Sequence, residues 1–420
     1  MTIKAPRGTN DILPPASFKW NYIEERAHEI CRRYNYQEIR TPIFEHTELF
    51  ARGIGEATDI VQKEMYTFTD KGDRSITLRP EGTAPVVRAF LEHKLYGKAL
   101  PKKFFYFGPM FRYERPQAGR YRQFHQFGVE VIGSDAPDVD VEIIMLGIDF
   151  IEEFGFKDYY VEINSIGCSE CRPPYLEELK AYLSGKEDLC ENCQERLKTN
   201  PLRVLDCKSP VCQEIVSEAP VITEHLCPVC QENFNQVKEG LKKLNLDFRK
   251  VPTLVRGLDY YTNTVFEVKS DELGAQDAIF SGGRYNGLLE EIGDRDIPAT
   301  GFALGLERLE ILLEEEAREF GDDLQVYITT IGEEAEAESL DILHRLRKAG
   351  YSADRDYGGR SVGSQMKDAD RKNSRYCLII GSEELKAGEA TLRDMKSGEE
   401  EAVPLDGILE YMSKVFEPGL

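Results

Sequence analysis

Residues 104–133 read FFYFGPMFRYERPQAGRYRQFHQFGVEVIG, an aromatic strand, an arginine-dense loop and a second strand of alternating character. Side chains alternate faces along a strand, so Phe124, Gln126, Gly128 and Glu130 share one face. That face offers an aromatic plane, an amide, a bare patch of backbone and a carboxylate. Arg112, Arg115, Arg120 and Arg122 crowd the hairpin end, and guanidinium forks of this kind suit phosphate. The hairpin therefore reads as the floor of a small-ligand site beside an anion site. The bland alternative is an edge hairpin with a solvated basic loop.

Working outward, helices are expected over 17–34, 84–96 (capped by Thr83), 139–154 and 305–320, from apolar residues recurring at helical spacing. Strands are expected over 65–70, 75–79, 159–166, 254–268, 278–280 and 299–303. The segment Tyr36–Phe44 is strand-like but interrupted by Pro42, which suits an edge, a turn or an interface. Hairpins mixed with helices predict an α+β domain on an antiparallel sheet over residues 1–322, with a helical, cysteine-rich insertion over about 167–236. From residue 324 strand and helix alternate, predicting a separate three-layer α/β domain over 324–420.

The chain has 420 residues, with 53 Lys and Arg against 75 Asp and Glu, a net charge of −22. Such a balance argues against nucleic acid as a bulk electrostatic partner, although a local basic patch can still bind one. The N-terminus has no apolar leader and no run reaches membrane-spanning length, so a cytoplasmic location without membrane contact is expected. Ten cysteines in such a chain do not read as a secreted disulfide scaffold.

Four further segments carry candidate chemistry. Arg79-Pro-Glu81-Gly82-Thr83 lies just ahead of a helix, where the N-terminal dipole favours a carboxylate anion. Arg256-Gly-Leu-Asp-Tyr260-Tyr261-Thr262 combines a guanidinium, a close-approach glycine and two phenols. Phe280-Ser-Gly-Gly-Arg-Tyr-Asn-Gly287 reads as a glycine-rich turn that admits a ligand to backbone. Gly301-Phe-Ala-Leu-Gly-Leu-Glu-Arg308 runs from a strand into a helix with an arginine about one turn in.

Together these segments resemble the class II aminoacyl-tRNA synthetases, and among them the histidyl-tRNA synthetases. Phe111–Arg115 is similar to the second motif of the class, Gly301–Arg308 to the third, and Tyr36–Pro42 to the first, which in the family builds a homodimer interface. Arg256–Thr262 and Ser281–Leu288 resemble the two segments peculiar to the histidine enzymes. The resemblance covers the whole chain and is looser over the insertion.

It implies ligation of L-histidine to tRNA(His) through a histidyl-adenylate, with Mg2+ entering with ATP, a catalytic domain over 1–322 and an anticodon-binding domain over 324–420. It carries Arg112 over as the bridge between α-phosphate and histidine carboxylate, and Arg256 to the other side of that phosphate. Phe124 and Arg308 would sandwich adenine, with Arg120 on the outer phosphates. Glu81 and Thr83 would hold the α-ammonium, helped by Gln126, with Gly82 and Tyr260 also among the histidine-binding residues. Glu130 and Tyr261 would take the two imidazole nitrogens, one a donor and one an acceptor in the neutral ring. The basic residues Arg355, Arg360, Lys367, Arg371, Lys372 and Arg375 would meet tRNA. A catalytically silent regulatory subunit of histidine biosynthesis is the alternative, disfavoured because all three key arginines and a C-terminal domain are present.

Cys168/Cys171, Cys190/Cys193 and Cys227/Cys230 are paired at zinc-knuckle spacing, with Cys207 and Cys212 slightly wider apart. The number of thiols allows two structural zinc sites, with His225 a further possible ligand, or simply buried reduced thiols. Cys31 and Cys377 are expected in the core.

Overall fold

In a computed structural model, described over residues 2–56, 58–117, 119–271, 278–314 and 324–416, the chain divides into two compact units, Met1–Arg318 and Glu319–Leu420. The strands of the first are β1 Gln37–Glu38, β2 Phe44–His46, β3 Tyr66–Thr69, β4 Ser75–Leu78, β5 Lys102–Phe111, β6 Gln123–Ile132, β7 Tyr160–Ser165, β8 Phe248–Lys250, β9 Thr262–Lys269, β10 Ala278–Arg284 and β11 Ala299–Gly305. Its helices are α1 Ala16–Arg33, α2 Thr47–Ile54, α3 Thr83–Glu92, α4 Pro137–Glu152, α5 Arg172–Ser184, α6 Glu191–Thr199, α7 Pro210–Ser217, α8 Pro228–Lys243, α9 Leu288–Gly293 and α10 Leu306–Glu314. The last part of the helix expected over 305–320 lies outside the described residues.

The main sheet has the order β1-β5-β6-β11-β10-β9-β7-β8. Its central pairs are antiparallel, as expected, while β1 on β5 and β8 on β7 add parallel pairs at the two edges. On β6, Phe127, Val129 and Val131 point into a core shared with α1 and α4 and are fully buried. Burying such side chains contributes about 1.5–3 kcal/mol each. That commitment fixes the other face of β6, and register slip by one residue would invert both faces.

Three differences from the sequence expectation bear on the site. The strand expected over 254–268 begins only at Thr262, because residues 254–261 are a loop held by polar bonds such as Asp259 N–H to Ile54 O at 3.1 Å. The glycine-rich stretch at 281–283 is not a turn but the middle of β10. A Cβ on Gly282 would overlap the Gly301 carbonyl of β11, so these glycines serve close strand approach. Helix α3 starts at Thr83, which is therefore not its cap.

The second unit contains β12 Val326–Thr330, β13 Ala353–Arg355, β14 Tyr376–Ile380, β15 Glu389–Asp394 and β16 Glu400–Pro404, with α11 Glu333–Lys348, α12 Val362–Arg371, α13 Ser382–Ala387 and α14 Ile408–Val415. Its sheet order is β13-β12-β14-β15-β16, parallel among the first three and antiparallel thereafter. Val326 and Ile328 pack on the α11 and α14 side, Tyr327 and Cys377 with Ala369 of α12 on the other. Those two cores make it three-layered.

Candidate active site

The exposed face of β6 is the floor of a cavity of about 400 Å³. Phe124, Gln126, Arg112, Arg120, Arg256, Arg308, Glu81, Thr83, Tyr260 and Tyr261 all line it. Gly82 and Glu130 do not; Glu130 lies beneath, 1% exposed. Gly128, read from sequence as bare backbone, is not bare. Tyr106 stands opposite it on β5, and its ring occupies the space that a Cβ on either Gly128 or Gly82 would need. Gly82 is thus a packing requirement for a phenol that the sequence reading missed.

Glu130 is tied into this layer. It accepts a hydrogen bond from Thr83 Oγ1 at 2.7 Å and one from Tyr285 Oη at 2.5 Å. Gly301 on β11 makes room for it, since a Cβ there would lie 2.8 Å from the Glu130 carboxyl carbon and closer still to an oxygen. Burial pushes its pKa up to about 8, against the pull of those hydroxyl donors. Tyr285 escaped the sequence reading because it belonged to the presumed turn.

The helix α3 N-terminus is satisfied by Glu81, whose two oxygens accept the N–H groups of Thr83 at 2.6 Å and Ala84 at 2.8 Å. Burial raises the Glu81 pKa, while those N–H groups and Arg112 pull it back. Close by, Gln126 Oε1 is buried and has no hydrogen-bond partner among the described residues. A buried acceptor left unpaired is costly, and an ammonium donor would relieve it.

Two arginines enter from different elements. Arg112, at the end of β5, donates Nε to Pro80 O at 2.8 Å and lies 5.2 Å from the Phe124 ring centroid. Burial lowers its pKa, with Glu64 and Glu81 acting in the opposite sense. Arg256 pairs with Glu267 and donates to Ser281 Oγ at 2.6 Å. Burial alone would lower its pKa, but Glu267 and Tyr261 raise it overall. Glu267 and Ser281 are further site residues that sequence reading did not single out. Arg308 donates to Ala278 O at 2.6 Å, and Arg120 pairs with Glu114. The rings of Tyr260 and Tyr261 pack at a tilt of 43°, with centroids 4.7 Å apart.

The insertion reaches this site. Arg172 donates to Tyr261 O at 2.6 Å, Arg203 to Gly257 O at 3.0 Å, and Asn200 to Asp259 Oδ1 at 2.7 Å. Asp206 and Lys208 line the cavity. Two groups of four thiols form, Cys168, Cys171, Cys227 and Cys230 in one, Cys190, Cys193, Cys207 and Cys212 in the other. His225 belongs to neither; its Nε2 lies 3.2 Å from Glu178. Cys31 and Cys377 are buried in the core.

The profile of the family described as histidyl-tRNA synthetase matches residues 8–186 and 214–309. The chain belongs to the histidyl-tRNA synthetase family. An anticodon-binding domain profile matches residues 325–415. The histidine–tRNA ligase of Halothermothrix orenii is 58% identical, covering 99% of this chain and 100% of its own length. That of Clostridioides difficile is 51% identical over 99% and 100%. The crystal structure of apo Staphylococcus aureus histidyl-tRNA synthetase has a TM-score of 0.83 at 42% identity, covering 98% of this chain and 99% of that one. The fold is thus that of a class II histidyl-tRNA synthetase, with an anticodon-binding domain following. The synthetase profile passes over residues 187–213, which carry all four cysteines of the second thiol group.

In the anticodon-binding domain the basic cluster is less bare than its sequence suggests. Arg360 and Lys372 pair with Asp356, Asp354 and Asp368, Arg371 with Asp368, and Arg375 with Asp394. Arg355 donates to Glu336 O and Ser339. Four of the six are thus paired with carboxylates, while Arg355 and Lys367 have no ion pair among the described residues, so the six do not form a wholly uncompensated positive patch.

Proposed function

We propose that the chain is an aminoacyl-tRNA ligase that activates L-histidine with Mg·ATP as histidyl-adenylate and transfers the histidyl group to tRNA(His). The observation that carries this is one cavity floored by Phe124 and Gln126, with the buried Glu130 beneath it and Arg112 and Arg256 entering from separate elements. A carboxylate and a triphosphate are both anions, so bringing them together needs positioned positive charge. Arg112 would bridge the α-phosphate and the histidine carboxylate, and Arg256 would hold the phosphate from the other side. The carboxylate oxygen attacks the α-phosphorus and pyrophosphate leaves; a terminal ribose hydroxyl of tRNA then attacks the carbonyl and AMP leaves.

Phe124 and Arg308 would bracket adenine, with Arg120 on the outer phosphates. Glu81, Thr83 and Gln126 would receive the α-ammonium, supported by the unpaired Gln126 Oε1. Glu130 and Tyr261 would bond the imidazole nitrogens, with Tyr260 closing the side. Magnesium enters as part of the nucleotide substrate, neutralising phosphate charge.

The assignment of catalytic work to 1–322, with its insertion at about 167–236, and of anticodon binding to 324–420 follows the same reading, as does a cytoplasmic location. Among the described residues no helix is long and apolar enough to cross a membrane. A homodimer is supported by Ile43, Phe44 and Phe68, large apolar side chains exposed at or beside the small β2-β4-β3 sheet.

The test is histidine-dependent exchange of pyrophosphate into ATP, followed by histidylation of total tRNA with the other nineteen amino acids as controls. Absence of histidine-dependent exchange would favour the silent regulatory reading.

A further inference from the structure

We propose that the insertion is built around two structural zinc ions, one in each four-cysteine group, and that this metal frame holds the 256–261 loop against the cavity. In each group the four sulfurs lie within 4.8 Å of one another. Cys168 and Cys171 Sγ are 3.5 Å apart and Cys190 and Cys207 Sγ 3.8 Å. A tetrahedron with Zn–S bonds of about 2.3 Å has edges of about 3.8 Å, whereas a disulfide needs about 2.05 Å. All ten cysteines are free thiols. Four sulfurs so close leave no room for a four-iron cubane, whose cysteines bind different irons. Compact tetrahedral thiolate coordination suits a single metal ion per group, and zinc, with no redox chemistry, is the one that closed four-cysteine structural sites hold.

The surroundings suit thiolates. Cys168 Sγ accepts from Glu170 N–H (3.4 Å), and Cys171 Sγ from Cys227 N–H (3.0 Å). In the second group Cys212 Sγ accepts from Cys190 N–H (3.3 Å), and Cys207 Sγ from Ser209 N–H (3.5 Å). Such outer-shell donors disperse the charge of a four-thiolate centre, a formal −2 with zinc bound. Cys171 directly precedes α5, Cys190 and Cys227 are the caps of α6 and α8, and Cys212 lies in the first turn of α7. The positive ends of four helices therefore face the sulfurs. Cys31 and Cys377 serve as the internal contrast, since neither has three further thiols beside it.

The two sites are nested. The outer one joins the ends of the insertion, residues 168–171 to 227–230, and the inner one closes the stretch from 190 to 212. A helical module of this size, below about 70–80 residues, commonly needs such staples. The contacts to the cavity come from between the ligands: Arg172 follows Cys171, Asn200 and Arg203 lie between Cys193 and Cys207, and Asp206 and Lys208 flank Cys207. The inner site thus positions the residues that grip Gly257 and Asp259.

The metal assignment is independent of the reaction; the clamp rests on the function proposed above. Elemental analysis of untagged protein, purified without chelators, should give two zinc per chain. Paired C168S/C227S and C190S/C207S variants should each lose one equivalent, and C31S/C377S none. If a cysteine pair cannot be replaced without unfolding, the wild type still decides: titration with a mercurial should release one zinc for every four thiols consumed among the eight. Fewer than two zinc per chain, iron in their place, or eight thiols that react with Ellman's reagent without metal release would overturn the assignment. For the clamp, C190S/C207S should raise the KM for histidine in pyrophosphate exchange by about tenfold or more, with the KM for ATP unchanged. An unchanged histidine KM would overturn the clamp, whereas wild-type protein inactive in exchange would instead overturn the proposed reaction.

Discussion

Replacing Glu130 by Gln tests the electrostatic heart of the pocket. The group is buried and its pKa is pushed up to about 8 by desolvation, against an ordinary value of 4.5. A raised folded-state value means that both states are protonated at low pH, where the full stability contribution is present. As pH climbs past the ordinary value the unfolded chain ionises while the folded one stays neutral, so stability falls until pH passes about 8. Between pH 5.5 and 9 the gap opens over about 2.5 pH units, which at about 1.4 kcal/mol per unit is a loss of about 3 kcal/mol. Glutamine is nearly isosteric with the protonated acid, and the hydroxyls of Thr83 and Tyr285 can donate to or accept from its amide. The variant should therefore fold, without that loss.

The assay is urea unfolding of wild type and variant at pH 5.5, 7 and 9, following the transition of the unit that carries Glu130. All other titrating groups are common to both proteins and cancel in the difference. The wild type should lose about 3 kcal/mol relative to E130Q across the range. A difference that stays constant within about 1 kcal/mol would refute a neutral, buried Glu130.

Glu130→Ala should raise the KM for histidine in pyrophosphate exchange by about 5- to 150-fold, the cost of leaving a buried hydrogen-bonding partner unsatisfied, and leave that for ATP nearly unchanged; an unmoved histidine KM would remove Glu130 from imidazole recognition. Gly301→Ala places a methyl group against Glu130 and the Val129 carbonyl, neither of which can retreat. It should cost about 1–3 kcal/mol in unfolding measurements and depress histidine activation more than ATP binding. Arg284→Ala leaves Asp140 buried without the guanidinium now 2.8 Å away, and should destabilise the protein by about 3–5 kcal/mol as read by chemical unfolding.

Periodicity made much of this legible. Alternation along residues 123–132 alone put Phe124, Gln126 and Glu130 on one face, and β6 keeps that register across both neighbours. What alternation does not carry is depth. Tyr106 was hidden because strand reading assigns a side chain to a face but not to the hole in a facing strand, and only the packing against Gly82 and Gly128 reveals it. The same blindness turned Gly282 and Gly283 into a turn: two adjacent glycines look identical whether they permit a bend or a close strand approach. Charge was misread for a related reason. The bases of α12 and its surroundings looked like a basic patch because they were counted without their acidic partners: Asp356 and Asp368 nearby in the chain, and Asp354 and Asp394 on strands of the sheet. The cysteine spacing predicted pairs, and three-dimensional closure supplied the partners, outer with outer and inner with inner.

The ionisation pattern of the cavity follows from which partners are charged. Arg112 is fixed by a hydrogen bond to a neutral carbonyl, that of Pro80, while Glu64 and Glu81 act on it through space. Burial lowers its pKa, and that same desolvation is relieved when an anion arrives. The nearby acids respond in the opposite sense. Burial pushes Glu130 up to about 8 and also raises Glu81, the latter held back by the Thr83 and Ala84 N–H groups and by Arg112. An incoming α-ammonium or imidazolium would favour their charged forms just as the anionic end of the amino acid meets Arg112. On the proposed reading, one end of the substrate would complete the arginine and the other would favour ionised Glu130, and a ligand lacking either charge would leave a buried group unpaired. That coupling would, on the proposed reading, let a cavity dense in charged groups favour a zwitterion carrying an imidazole.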